Sequence, residues 1–354
     1  MSKVILGLDI GGANLKAVTS DGRAVSVPFA VWKHPEQLGD ELAKLIGQFP
    51  EAKSLAVTMT AELCDCYETK REGVNKILDA VVFAAKGIPF QVWSTAGRFV
   101  SEAEARANHM AVAAANWHAL ATFAGRFVPQ GIAILIDIGS TTTDIVFYRD
   151  GVPITRGLTD VHRMKNRELV YMGVRRTPAC MLLWPCASEF FATSEDAYIV
   201  LGLLPERHDS NETADNRPAT IAYSRDRLSR IRCGDRETLS SEDIENLARS
   251  IYESQVSTTK FSVNRNIEHY FPVADYKTIS LTTITSGEGE FVANTVFDRL
   301  FENIFGHNEL MAKHFNSHML IENNRISLNK QLGPTVSACA PAHAIAVLAA
   351  EARA

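Results

Sequence analysis

An aspartate set beside glycine, between two apolar stretches, occurs twice in this chain and is its clearest chemical signal. The first run is Leu6-Gly7-Leu8-Asp9-Ile10-Gly11-Gly12-Ala13-Asn14-Leu15-Lys16-Ala17-Val18. The second is Ile136-Asp137-Ile138-Gly139-Ser140-Thr141-Thr142-Thr143-Asp144-Ile145-Val146, 128 residues downstream. Glycines let backbone N–H groups approach phosphate oxygens, and an aspartate can hold a hydrated divalent cation against them. Asp9 and Asp137 are therefore the candidate metal residues. Gly11, Gly12, Asn14 and Lys16 line the first turn as candidate phosphate contacts, and Gly139, Ser140, Thr141, Thr142 and Thr143 line the second. Asp144 either orients the cation or a hydroxyl, or caps its turn.

Each turn read singly is also satisfied by a plain β-hairpin, because Asp and Gly are common turn residues. The repeat of Asp-Ile-Gly argues for more than that. Gly11-Gly12 lacks the Gly-x-Gly-x-x-Gly spacing of a dinucleotide turn, and an apolar strand follows where a Rossmann unit needs a helix. A nicotinamide or flavin enzyme is not expected.

The elements that must position these turns alternate in type. Gln37–Phe49 has helical periodicity, Ser54–Met59 reads as a buried strand, and Val74–Lys86 is apolar at helical spacing. Gln91–Ser94 reads as a strand and Ser101–Phe123 as one Ala-rich helix. Arg207–Thr220 is a polar loop, and Ser240-Ser241-Glu242-Asp243 opens a helix with cap chemistry. Ile279–Thr285 is a strand leading into Ser286-Gly287-Glu288-Gly289, and Ala340–Ala352 is a final helix. The alternation points to an α/β architecture.

The chain has 354 residues, 46% hydrophobic, with a net charge of −5. This length favours two domains. A mild acidic balance gives no general attraction to nucleic acid or anionic lipid, so neither is an expected partner. Without a spanning apolar run or a signal-peptide pattern, a cytoplasmic protein with no membrane role is expected. Six sparse cysteines, Cys64, Cys66, Cys180, Cys186, Cys233 and Cys339, suggest reduced thiols.

The two Asp-Gly runs resemble the phosphate loops of the actin, sugar-kinase and heat-shock-chaperone ATPase superfamily. Ser286-Gly287-Glu288-Gly289-Glu290 is similar to its adenosine-side glycine loop, with Gly287 and Gly289 as the contacts. Within that superfamily the chain resembles the hydantoinase/oxoprolinase branch. More narrowly, it resembles proteins of tetrahydromethanopterin-linked one-carbon transfer, among them the synthases of methanofuran-type cofactors. Thr58-Met59-Thr60-Ala61-Glu62-Leu63, Tyr67-Glu68-Thr69-Lys70-Arg71-Glu72-Gly73-Val74 and Tyr171-Met172-Gly173-Val174-Arg175-Arg176-Thr177-Pro178 carry the narrower likeness.

The resemblance implies an actin-like ATPase (ribonuclease H-like) fold with a phosphate-binding cleft between two domains. These are residues 1–128, with 340–354 packing back on them, and residues 129–339. It implies a transferase that forms an aryl ether between an aminomethylfuran-methyl diphosphate and a tyrosine- or tyramine-like phenol. Mg²⁺ and backbone donors would hold the departing diphosphate. Glu62 would accept the phenol proton and Lys70 would contact phosphate, both among loop charges that otherwise read as solvated surface. Arg175 and Arg176 would bind an anion, or simply lie on a surface loop. Two rival readings share the same loops: an ATP-dependent kinase or oxoprolinase/hydantoinase-type ATPase, and a nucleotide-switched assembly protein. Glu288 and Glu290 are expected to crowd or repel a nucleotide. Acceptor identity, and whether the chain forms a homo-oligomer, are left open by the sequence.

Overall fold

The computed structural model describes residues 4–271, 279–305 and 321–352. Residues 1–3, 272–278, 306–320 and 353–354, which fall in the expected domain spans, lie outside the described residues. The chain divides into two compact units. Unit 1 comprises 1–134, 146–163 and 325–354, and unit 2 comprises 135–145 and 164–324. The sequence suggests a division near 128 with 340–354 returning to the first domain; the closing segment does fall in unit 1, but the chain also crosses between units within the second hairpin, whose strands are shared between them.

Unit 1 is built on a six-stranded sheet in the order β3-β2-β1-β4-β5-β6. These strands are β1 (Ile5–Ile10), β2 (Asn14–Thr19), β3 (Ala24–Pro28), β4 (Ser54–Met59), β5 (Phe90–Ser94) and β6 (Arg98–Val100). β1 and β2 form the first hairpin, and β4 returns parallel to β1 after helix α1 (Leu38–Gly47). Every residue of β1 and β4 is buried, as expected for strands covered on both faces. Leu6, Leu8 and Ile10 pack with Leu38, Leu42 and Leu45 of α1 and with Val74, Ile77 and Leu78 of α2 (Lys70–Ala85). The opposite face receives the closing helix Ala340–Glu351. A Cβ on Gly7 would stand 2.0 Å from the Ala342 carbonyl oxygen, so only glycine permits that approach.

The expected single helix over Ser101–Phe123 is three shorter ones, Glu102–Ala107, His109–Val112 and Asn116–Ala124. Alanine propensity favours continuity, but tertiary contacts override it. The Thr95 N–H and hydroxyl both donate to the Ala111 carbonyl, the backbone turns extended at Ala113, and Ala114 enters the left-handed region at φ 48°.

A second sheet runs β10-β8-β7-β11-β12, with β9 on β8. Its strands are β7 (Ile132–Ile138), β8 (Thr143–Arg149), β9 (Val152–Ile154), β10 (Leu169–Val170), β11 (Ile279–Ser286) and β12 (Ile321–Ser327). The long helix Ser241–Tyr270 begins in a capping box between Ser240 and Asp243, as its sequence predicts. With the short helices Ser194–Val200 and Ile221–Ile231 it encloses an apolar cluster including Ala197, Leu228, Ile231, Ile244 and Ile251. The Arg207–Thr220 segment holds no helix or strand; Arg207 and Ala219 bridge across it, and Ala219 and Thr220 are buried. Two sheets with a hairpin at each start and helices between strands make this an α/β, actin-like (ribonuclease H-like) fold. Among the described residues no helix is long and apolar enough to cross a membrane, and none of the six cysteines is in a disulfide.

Candidate active site

The first Asp-Gly turn joins β1 to β2 and is closed by the Gly11 N–H donating to the Asn14 carbonyl at 3.1 Å. A Cβ on Gly11 would press against that carbonyl at 2.9 Å. Register places Asp9 opposite Lys16 on β2 and beside Thr58 on β4, so the three side chains share one sheet face. Asp9 is only 5% exposed, and its Oδ1 has no hydrogen-bond partner. Burial pushes its carboxyl up from the ordinary value, and the Lys16 charge opposes the rise. The Thr58 hydroxyl, also buried, has no partner either. Unmade hydrogen bonds of this kind are expensive in a core and are rarely left so without a ligand or water to complete them.

Beyond β4 the chain turns sharply. The N–H groups of Thr60 and Ala61 both donate to the Ile10 carbonyl, which anchors Glu62 close behind the first turn. Helix α2 then starts at the Thr69 cap, whose hydroxyl accepts from the Glu72 N–H at 3.1 Å. Gly73 lets that helix close down on the Glu62 backbone, where a Cβ would meet the Glu62 carbonyl oxygen at 2.1 Å. The result is a buried charged cluster. The Lys70 ammonium lies 3.5 Å from Glu62 Oε1 and 3.0 Å from Asp160 Oδ2. Burial pushes the Glu62 carboxyl up to about 6 against the pull of Lys70, and its Oε2 is unpartnered. Burial disfavours the charge of Lys70, but Glu62 and Asp160 outweigh that and hold it above its ordinary value. The structure thus brings Glu62 and Lys70 together.

Asp160 was not legible in the sequence. It lies 90 residues beyond Lys70, and no local pattern links the two. Tyr67 and Cys66 pack nearby, and burial raises the proton affinity of both side chains. Arg163, which the sequence reads, with His162, as an ordinary polar connection or a cleft residue, is fully buried with its guanidinium 3.7 Å from the Trp117 ring centroid.

In unit 2 the turn after β7 is closed by the Gly139 N–H donating to the Thr142 carbonyl. Two segments brace it from outside. The N–H groups of Arg175 and Arg176 both donate to the Ser140 carbonyl, that of Val174 donates to Gly139, and the Thr143 hydroxyl donates to the Met172 carbonyl at 2.7 Å. Gly173 lies flat on Ser140 and Thr141, where a Cβ would fall 2.3 Å from the Thr141 nitrogen. From the end of β11, the Gly289 N–H donates to the Ile138 carbonyl. Gly287, at φ 83°, lies where a Cβ would stand 2.3 Å from that oxygen and 2.8 Å from Asp137 Oδ1. Asp144 pairs with Leu169 of β10.

The Arg175 guanidinium binds two carboxylates, Glu288 and Glu195, and Arg207 grips Glu195 as well. Its side chain ties loops together, and Arg176 is exposed. Glu288 spends its charge on Arg175 rather than facing a nucleotide, so the expected repulsion loses that support.

Among the described residues no three His, Cys, Asp or Glu side chains gather as a metal cage. Asp9 nevertheless fits a hard cation: its unpartnered, buried oxygen beside a glycine turn suits an ion held by one or two carboxylates and otherwise by water and phosphate.

Residues 54–182 match the hydantoinase/oxoprolinase family. The chain is 31% identical over 360 residues to the (4-{4-[2-(gamma-L-glutamylamino)ethyl]phenoxymethyl}furan-2-yl)methanamine synthase of Methanocaldococcus jannaschii, covering 98% of each chain. It is 30% identical over 234 residues to the protein of the same name from Methanococcus vannielii, covering 63% of this chain and 94% of that one. Among solved structures it is similar to a PilM-PilN type IV pilus biogenesis complex, at 11% identity and a TM-score of 0.48 over 98% of each chain.

Proposed function

Because the chain belongs to the (4-{4-[2-(gamma-L-glutamylamino)ethyl]phenoxymethyl}furan-2-yl)methanamine synthase family, we propose that it is an ether-forming transferase of methanofuran-like cofactor synthesis. The phenolic oxygen of a tyrosine- or tyramine-like acceptor attacks the methyl carbon of an aminomethylfuran-methyl diphosphate. The new bond joins that carbon to the phenol oxygen, the carbon–oxygen bond to diphosphate breaks, and diphosphate leaves with the electron pair. One observation carries this reading: the likeness to the synthase extends over 98% of both chains.

The roles we assign follow from the chemistry the reaction needs. An electron-rich furan stabilises positive charge on its methyl carbon, so assistance is needed chiefly at the leaving group. Bound Mg²⁺ would neutralise charge developing on diphosphate, and Asp9 and Asp137 are the carboxylates we assign to it in their respective turns. The backbone N–H groups at Gly11 and Gly12, with Asn14 and Lys16, orient diphosphate oxygens in unit 1. Gly139 and the hydroxyls of Ser140, Thr141, Thr142 and Thr143 do the same in unit 2, where Asp144 orients a hydroxyl and Arg176 adds positive charge. Arg175, Gly287 and Gly289 hold that loop in shape. Glu62 takes the phenol proton on Oε2, which is buried and has no hydrogen-bond partner. Near neutral pH it is ionised yet basic, as a proton acceptor should be. Lys70 keeps positive charge beside that carboxylate and the departing anion.

The test is direct. Purified protein with Mg²⁺, the furan diphosphate and tyramine or tyrosine should yield the ether by mass spectrometry, with one diphosphate released per ether. Orthophosphate from ATP, and no ether with either phenol, would support the kinase or oxoprolinase-type reading instead.

A further inference from the structure

Asp160 opens the short helix Asp160–Lys165, its side chain about one quarter exposed, while Glu62 behind it is closed off from solvent. Between them stands a single ammonium. The shorter contact of Lys70, 3.0 Å, goes to Asp160, and the longer, 3.5 Å, goes to Glu62. A pair built only for stability would close on the buried carboxylate and satisfy both its oxygens, because an uncompensated buried charge is costly. Here the better contact is given to the more exposed partner, and Glu62 Oε2 is left unpartnered.

Resting on the reading of Glu62 as proton acceptor, we propose that Asp160 is a positioning residue for the ether-forming step. It draws the Lys70 ammonium away from Glu62 and so keeps that carboxylate able to take the phenol proton. Among the described residues, the charged groups acting on Glu62 are Lys70 of α2, which lowers its proton affinity, and Asp160, which raises it. Asp160 therefore works in two ways. It shares the ammonium that would otherwise quench Glu62, and it adds a second negative charge on the same side. Gly73 makes this possible by letting α2 approach closely enough to present Lys70 between the two carboxylates.

The experiment is a titration of the Glu62 carboxyl by NMR in protein labelled with ¹³C at glutamate side-chain carboxyls, the signal being identified by its loss in Glu62→Gln. In Asp160→Asn, Lys70 turns fully to Glu62, and the midpoint should fall by about one unit. In Lys70→Met the midpoint should rise. Asp160→Glu, which keeps the charge, should restore a near wild-type midpoint. In the two Asp160 variants the acidic limb of kcat should move with these midpoints while KM for the furan diphosphate stays constant. A Glu62 midpoint unmoved by Asp160→Asn would overturn the proposal, as would a fall in Lys70→Met. Midpoints that move as stated beneath an unchanging kcat profile would support the placement of Lys70 by Asp160 and contradict instead the reading of Glu62 as the base.

Discussion

The two Asp-Gly turns share a sequence plan but are finished differently. Around the first, Asp9 Oδ1, Thr58 Oγ1 and Glu62 Oε2 are buried without partners. Around the second, the backbone is clasped from two sides, by Gly139–Thr143 contacts to residues 172–176 and by the Gly287–Gly289 turn. A turn that leaves buried oxygens unsatisfied has its stability completed by what it binds. A turn whose backbone is braced on both sides is a preformed cradle whose shape costs nothing further at binding. The difference teaches that a repeated motif can be finished in two ways: the first turn gathers buried, unpartnered carboxylate oxygens, and the second has its backbone held by neighbouring segments, with Ser286 Oγ as the unpartnered oxygen beside it.

The sharpest way to break this comparison is to remove the carboxylates. Asp9→Ala and Asp137→Ala should each lower kcat by about a thousandfold, equivalent to several kcal/mol of lost leaving-group stabilisation. Asp9→Ala should leave the thermal midpoint unchanged or higher, since it deletes a buried carboxylate whose Oδ1 has no partner. Wild-type turnover in either variant would end the parallel between the turns.

Next in size is Glu62→Gln, for which kcat should fall by about a hundredfold or more. In the unaltered protein, activity should decline as pH drops through about 6, where Glu62 takes up a proton, and this limb should vanish in the variant. The stability effect runs oppositely. Folding raises this carboxyl above its ordinary 4.5, so the group favours the folded state fully below about 4.5 and loses that contribution as pH rises through about 6. A limb that persists in Glu62→Gln would assign it elsewhere.

The glycines sharpen the comparison without touching chemistry. Gly287→Ala forces a Cβ into a backbone oxygen at a positive φ and should cost about 2–4 kcal/mol in urea unfolding. Gly12→Ala meets only the Cys64 sulfur at 3.0 Å, at the end of a side chain that can turn, and should cost under about 1 kcal/mol. Equal losses would mean the turns are braced alike. Among the effects on activity the smallest is expected for Arg175→Met, which loosens the tie to Glu288 and Glu195: about tenfold in KM for the diphosphate substrate, with kcat nearly kept.

Much of the scaffold was legible because it is local. Short apolar runs joined by Asp-Gly turns give β1, β2, β7 and β8, and Ser240 with Asp243 announces its helix. The break of the Ala-rich stretch was not legible, since the Thr95–Ala111 contact that bends it is tertiary. Glu62 and Lys70 stood out through a family likeness, but Asp160 is brought to them only by the fold. Gly173 belongs to the Tyr171–Pro178 motif, yet its reason, contact with Ser140 and Thr141, appears only when both segments are placed.

The central claim is that diphosphate leaves from the furan methyl carbon, and isotope placement tests it most directly. A substrate carrying ¹⁸O in the bridge between carbon and phosphorus should give ether without label and diphosphate with all of it, because the carbon–oxygen bond breaks. Label retained on a furan alcohol, with cleavage at phosphorus, would contradict the account.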